Sequence, residues 1–177
     1  MTPMPRVLVA CVGNAIRGDD GFGPAVARRL AGIARSDEAD VAEFGIAGID
    51  LVQRLMDGYD GVIVVDAIDR GKPSGTVVEL EPDVPDVRGL PWDALSGVLG
   101  DLHETKPARV LLLARSIGCL PPRMRILGCQ PQTTDPGTEL SAAVAVAVEQ
   151  VVTRIDAIVR RWRGCRGDAC AEERPAQ

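Results

Sequence analysis

Three places in this 177-residue chain carry side chains suited to acid–base or metal chemistry at a shared point. The first is the glycine-punctuated segment Gly13-Asn-Ala-Ile-Arg-Gly-Asp-Asp-Gly-Phe-Gly23, with consecutive acids Asp19 and Asp20. The second is Asp66, which ends the apolar run Val62-Ile-Val-Val, and the third is His103, the single histidine. Two carboxylates and one imidazole make a facial donor set suited to a borderline divalent ion with open coordination positions. Each residue also has a plainer reading. Asp19-Asp20 suits the amino-terminal cap of a helix, worth about 0.5–2 kcal/mol. Asp66 suits a cap on the turn that follows it, and a lone histidine is most often a surface residue. Capping needs only one acid, which leaves the other for different work, and with one histidine any imidazole-dependent site has one candidate.

Other chemistries fit less well. Gly13 and Gly18 have the spacing of a phosphate-binding loop, but Asp19-Asp20 stand where lysine and a hydroxyl residue belong, and carboxylates repel a triphosphate. The glycines do not form the G-x-G-x-x-G of a dinucleotide fingerprint. There is no G-x-S-x-G elbow around Ser96 or Ser116, and His103-Glu104 is not followed by a second histidine. A cysteine nucleophile would need one of five scattered thiols (11, 119, 129, 165 and 170) to meet His103. The paired acids suit a metal ion or a basic peptide instead.

The elements that must position these residues alternate strand and helix. Arg6–Val12 reads as a buried strand and Phe22–Ala34 as a helix, with Val26 and Leu30 on one face and Arg28-Arg29 on the other. A short strand at Asp40–Phe44 leads to Gly45-Ile-Ala-Gly48 and a helix carrying Leu51, Val52 and Leu55. Gly61–Val65 is the most strand-like run. The alternation of Gly75–Leu80 predicts an edge strand, antiparallel in sense. Glu81–Pro91 reads as a surface loop, Trp92–Leu102 as helical, and Pro107 as the first turn of a helix to about Ser116. Arg123–Gly128 is the last strand, and Glu139–Trp162 keeps helical spacing throughout. This pattern predicts a three-layer α/β/α sandwich around a twisted, mostly parallel five-stranded sheet. In such sheets ligands bind beyond the carboxyl ends of the strands, which selects residues 13–23, 45–48 and 66–71.

Composition sets the remaining bounds. The chain is 46% hydrophobic but only 3% aromatic, so its core is aliphatic, as a doubly covered parallel sheet requires. A net charge of −5 argues against a nucleic-acid partner. The absence of CxxC pairs argues against a zinc ribbon or a thioredoxin-type site, and the five scattered cysteines read as reduced thiols of a cytoplasmic protein. With no signal-peptide pattern and no run approaching a membrane span, the expectation is a soluble cytoplasmic protein that binds no membrane. Residues 1–164 are expected to form one domain and 165–177 a flexible tail.

In this order the motifs resemble those of the hydrogenase maturation endopeptidases. The resemblance rests on Gly13-Asn14, Asp19-Asp20-Gly21-x-Gly23, Gly45-x-Ala47-Gly48, Val64-Val65-Asp66-Ala67, His103 and Gly128-Cys129-Gln130-Pro131, and covers about residues 6–160. It implies removal of a carboxy-terminal extension from the large-subunit precursor of nickel–iron hydrogenase after nickel insertion, by a protein expected to be monomeric. It further implies that Asp20, Asp66 and His103 are metal ligands for nickel supplied by the substrate, with zinc or cadmium able to take the same place in vitro. Asp19 joins them as a candidate catalytic acid that orients water or grips a basic residue. Glu43, with Gly45 and Gly48, stands where the family has Asp-Gly and a threonine, and is assigned to substrate binding. The alternative is a nickel-reading assembly protein without cleavage activity.

Overall fold

In the computed structural model, which describes residues 4–33, 39–46, 48–86 and 107–164, five strands form one sheet in the order β2-β1-β3-β5-β4. The strands are β1 (Val7–Val12), β2 (Asp40–Gly45), β3 (Gly61–Ala67), β4 (Val77–Leu80) and β5 (Arg123–Cys129). β1 pairs in parallel with β2 and β3, and β3 with β5, while β4 runs antiparallel to β5 at the edge. Among the described residues, four helices cover the sheet: α1 (Phe22–Ala31), α2 (Gly48–Leu55), α3 (Pro107–Ser116) and α4 (Ala142–Gly164).

The uniformly apolar strands divide their side chains by alternation. Val7, Val9 and Cys11, with Ile63, Val65, Leu127 and Cys129, pack under α1 and α4. Leu8, Ala10 and Val12, with Val62, Val64 and Ile126, pack under α2 and α3. Every residue of β1 is buried, as a central strand covered on both faces must be. This is the three-layer sandwich that the sequence predicts, antiparallel edge strand included.

Two boundaries differ from expectation. α1 stops at Ala31, with Gly32 as its carboxy-terminal cap. α4 starts at Ala142 and not at Glu139, because Ser141 is drawn by its amide and hydroxyl onto Asp19. The helix expected at Trp92–Leu102, most of the loop after residue 86, and the tail at 165–177 with Cys165 and Cys170 lie outside the described residues. Among the described residues no helix is long and apolar enough to cross a membrane.

What matters for function is the direction of the chain. From β1 it moves outward to β2 on one side, then returns to β3 on the other, so β1 and β3 flank the topological switch point. The loops carrying Asp20 and Asp66 therefore leave neighbouring strands at the same edge. α3 ends six residues before β5, which enters from the opposite edge. Pro107, four residues after His103 in sequence, thus starts α3 from the edge where Asp20 and Asp66 lie.

At the other edge a polar cluster fastens the start of β2. Asp40 Oδ2 accepts from Tyr59 Oη at 2.7 Å and lies 3.3 Å from the Arg6 and 3.5 Å from the Arg54 guanidinium. Arg6 also stacks on the Tyr59 ring, 4.6 Å from its centre. The Tyr59 bond, reinforced by Arg6 and Arg54, outweighs partial burial and holds the Asp40 carboxyl below its ordinary range. A carboxyl so lowered contributes stability above its unfolded pKa and loses it as pH falls through the folded one. The Asp40 side chain is 40% exposed, so solvent screening keeps the Tyr59 bond to about 0.5–1 kcal/mol. Tyr59→Phe should lose that amount in urea denaturation at neutral pH, and the difference should shrink below about pH 4. A loss that persists unchanged in acid would mean that the Asp40 charge plays no part.

Candidate functional site

β3 is apolar until its last turn-ward residues, and Asp66 is the point where the run of valines reaches the sheet edge. Its side chain is only 8% exposed. Burial, and after it the charge of Asp20, pushes the Asp66 carboxyl up to about 8, against a smaller opposing effect from the Ala67 amide. Asp66 makes no ion pair with lysine or arginine among the described residues. A buried carboxyl thus lies within the field of the half-buried Asp20, with no lysine or arginine countercharge among the described residues, an arrangement whose chemistry fits a divalent cation.

Asp20 reaches this position from a 3-10 turn, Gly18–Gly21, inserted between β1 and α1. Its carboxylate Oδ2 and its carbonyl both accept from the Asn14 amide, each at 3.1 Å. Tight backbone contact makes this possible. A Cβ on Gly13, whose φ is +136°, would lie 2.1 Å from the Asp20 carbonyl oxygen, and one on Gly23 would lie 2.0 Å from that of Val12. The glycines of this loop therefore serve close packing and not phosphate binding. Its amides are also engaged: Gly13 donates to Gly45, Gly18 to Gly137, Asp19 to Thr133 and Asp20 to Arg17. No row of outward N–H groups is left for a phosphate.

The helix-cap reading of the two acids is corrected by the same turn. The residue at the cap of α1 is Gly21, with no side-chain cap bond. Asp19 is corrected as well, since it is no free acid able to orient water or grip a substrate. It is completely buried, and its two oxygens accept from the amides of Gln132, Thr133 and Ser141 and from the Ser141 hydroxyl. Burial alone would raise this carboxyl, but the Ser141, Gln132 and Thr133 donors together outweigh it and hold the group below its ordinary value.

Glu43 is placed elsewhere. It stands beside Cys11 in the β1–β2 register, exposed on the α1/α4 side, where with Val41, Arg28 and Leu30 it lines a cavity of about 660 Å³. The side-chain alternation of β3 turns Asp66 to the α2/α3 side, so Glu43 does not complete the acid pair. Gly45 and Gly48 do flank the site edge: the Gly45 carbonyl accepts from Gly13 at 2.9 Å, and Gly48 opens α2. Ala47 and His103 lie outside the described residues. Among the described residues no group of three acids, cysteines or histidines converges on a point.

Thiol catalysis is set aside on physical grounds for the buried cysteines. Burial, then the nearby Glu43 charge, pushes Cys11 up to about 12, and burial, then Asp19, pushes Cys129 up to about 11. Neither forms a thiolate near neutral pH.

Sequence reasoning passed over Gln130, although Gly128-Cys129-Gln130-Pro131 marked the position. Gln130 is buried, its Oε1 accepts from the Arg70 and Lys72 amides, and its Nε2 donates to Asp69. It ties down the loop that follows Asp66. The signal was available in principle, as a polar residue directly after a buried strand.

Comparison with known proteins gives a consistent result. Residues 24–158 match the family model described as hydrogenase maturation protease. The chain is 34% identical over 163 residues to the hydrogenase expression/formation protein HupD of Rhizobium leguminosarum bv. viciae, covering 90% of this chain and 77% of that one. Among solved structures it is similar to the hydrogenase 2 maturation peptidase of a Thaumarchaeota archaeon (37% identity, TM-score 0.61, covering 86% of this chain and 97% of that one). It also resembles the hydrogenase maturating endopeptidase HybD of E. coli (25% identity, TM-score 0.69, covering 88% and 93%).

The buried Asp66 carboxyl has a measurable cost. Asp66 keeps its proton in the folded state up to about pH 8, whereas the unfolded chain releases it near about pH 4. Folding stability due to this group should therefore decline as pH rises across that window and level off above it. Asp66→Asn, measured by urea denaturation in buffer with a chelator, should be more stable than the parent by about 1–3 kcal/mol above pH 8 and about equal to it near pH 5. An asparagine variant that is equally destabilised at both pH values would show that the site accommodates the anion.

Proposed function

The chain belongs to the hydrogenase maturation protease family, and from that premise we propose that it is an endopeptidase removing the carboxy-terminal extension of a nickel–iron hydrogenase large-subunit precursor. The observation that supports this reading is the buried Asp66 carboxyl at the switch point of the sheet, raised further by the nearby Asp20 charge and without a lysine or arginine partner among the described residues. A site of this kind is incomplete by itself. It becomes electrostatically satisfied when a second molecule brings a cation to it.

On this reading the cation is nickel already seated in the precursor, and it belongs to the substrate. Asp20 and Asp66 would hold it from the protein side, with His103 as the third donor. Bound there, it would supply charge to polarise the scissile carbonyl or to acidify a water molecule. The chain's own part follows from its structure. Asp66 reads the charge because burial leaves its anionic form unfavourable until a cation compensates it. Asp20 is held by the Asn14 amide in a fixed direction, so it meets the incoming group already oriented. Asp66 stands on the rigid strand β3, and Asp20 on a turn between β1 and α1 that is tied down by backbone bonds to the neighbouring loops.

The reading is supported by family membership and by the acid pair. On the same support we place its action in the cytoplasm. With an empty precursor Asp66 would stay protonated beside Asp20, and only a cation would favour its anionic form, which would couple cleavage to correct metal loading.

The test is mass analysis of a large-subunit precursor incubated with this protein, with and without nickel in the precursor. Loss of a short carboxy-terminal peptide from the loaded precursor alone is the expected result. Asp20→Asn, Asp66→Asn and His103→Ala should each lower the rate by about a hundredfold or more. Cleavage indifferent to nickel would overturn the role given to the acid pair. Retained nickel-dependent binding without any cleavage would favour an assembly factor that reads nickel and does not cut.

A further inference from the structure

We propose that Asp19 is a positioning residue, which sets the direction of the Asp20 carboxylate by locking the β1–α1 loop onto the β5–α4 loop. The proposal rests on the reading of Asp20 as an acid of the active site, and it extends that reading to a loop that carries none of the assigned site residues.

The fastening runs in both directions. Asp19 Oδ2 accepts from the Gln132 amide at 2.7 Å, the Thr133 amide at 3.2 Å and the Ser141 hydroxyl at 2.9 Å, and Oδ1 accepts from the Ser141 amide at 2.6 Å. In return, the β1–α1 loop donates to the other loop from the Asp19 amide to Thr133, from the Gly18 amide to Gly137 and from Arg17 Nε to Thr134. The Gly137 amide donates back to Ile16. Gly18, at φ +51°, allows the approach, since a Cβ there would lie 3.1 Å from the Thr133 carbonyl oxygen.

Residues 132–139 are exposed along their whole length and form no helix or strand beyond a single bridge of Gly137 to Arg17. Beyond the backbone bonds above, little of their own packing holds them. The buried carboxylate of Asp19 does, since charge-assisted bonds of this kind are about twice as strong as neutral ones.

The consequence for Asp20 comes from the geometry of the turn. In a 3-10 helix successive side chains point about 120° apart. With Asp19 turned inward onto the β5–α4 loop, Asp20 must point away from it, toward Asn14 and Asp66. Rotating the turn by one residue would carry Asp20 into the donors that Asp19 now occupies and would empty the site of its acid. Asp19 thus fixes which of two chemically identical neighbours is available to a substrate. It touches no substrate and acts through the adjacent peptide.

Asp19→Asn removes the charge and turns an amide group toward donors, and Ser141→Ala is a milder variant that leaves every amide donor in place. Two readouts should be taken on each, with folding checked by circular dichroism: NMR hydrogen exchange of individual amides, and kcat and KM on nickel-loaded precursor. In Asp19→Asn the amides of Asn14, Gly18 and Asp20 should lose about tenfold or more of their protection, while those of Leu8, Ala10 and Val64 keep theirs. The same variant should lose at least about tenfold in kcat with KM within about twofold. Ser141→Ala should show smaller losses in the same order.

A folded Asp19→Asn with parental kcat and parental exchange at Asn14 would overturn the proposal. So would a loss of kcat without a change in exchange, because that outcome assigns Asp19 a direct role. Should the parent protein cleave no precursor, the protease reading fails, and the exchange measurement alone decides whether Asp19 positions Asp20.

Discussion

Taking a carboxylate out of water costs several kcal/mol unless donors or an opposite charge compensate it. Asp66 has a single backbone donor, from Ala67, and its charged neighbour is another acid. Nothing in the described part of the chain relieves this. The fold holds the unfavourable arrangement because β3 is hydrogen-bonded on both sides, to β1 and to β5, and is covered by helices on both faces. The strand cannot twist Asp66 toward water without giving up ladder bonds and the burial of four adjacent side chains, Val62 to Val65. Strain of this kind persists where the surroundings over-determine it.

The same constraint explains why the loops around the site are stitched so heavily. The Asp66 carboxyl would gain water and ionise if either loop could yield. The Asp66 side is restrained by Gln130, which engages Asp69, Arg70 and Lys72 at once. The Asp20 side is restrained by Asn14 and by Asp19. Both restraints meet at the segment that follows β5, so one connection governs the separation of two acids it does not carry. Buried polar groups of this sort are costly when partly satisfied and stiffening when fully satisfied. Asp19 and Gln130 have their bonds made.

Most of the fold could be read directly from the sequence. Val7–Val12 and Gly61–Val65 are continuous apolar runs, which only a strand buried on both faces accommodates at that length, and the alternation of Gly75–Leu80 marked an edge. The acids at strand ends followed from the general rule that crevices in such sheets lie past the carboxyl ends of strands. What could not be read was anything that depended on side-chain direction within a loop. Glu43 looked like a site residue from its place near the end of β2, yet the register that sets it beside Cys11 turns it to the other face. A period of two means that an uncertainty of one residue reverses the answer.

The division of labour between Asp19 and Asp20 shows where the limit lies in physical terms. Both acids have the same chemistry, and both precede a helix, so a local reading gives each an equal claim to cap it. Neither does, since a 3-10 turn comes first and Gly21 takes the cap position. Their different fates are set by donors 113 to 122 residues further along the chain. No local window contains that information. Once the sheet brings the end of β5 beside the end of β1, the outcome is forced: three amides and a hydroxyl point into a space that only an anion without exposed surface can fill. The residue one position on, turned away by the geometry of the turn, is left facing Asp66. On the proposed reading, the available acid is defined by what its neighbour satisfies, and two adjacent acids divide into one structural anion and one that is left free of it.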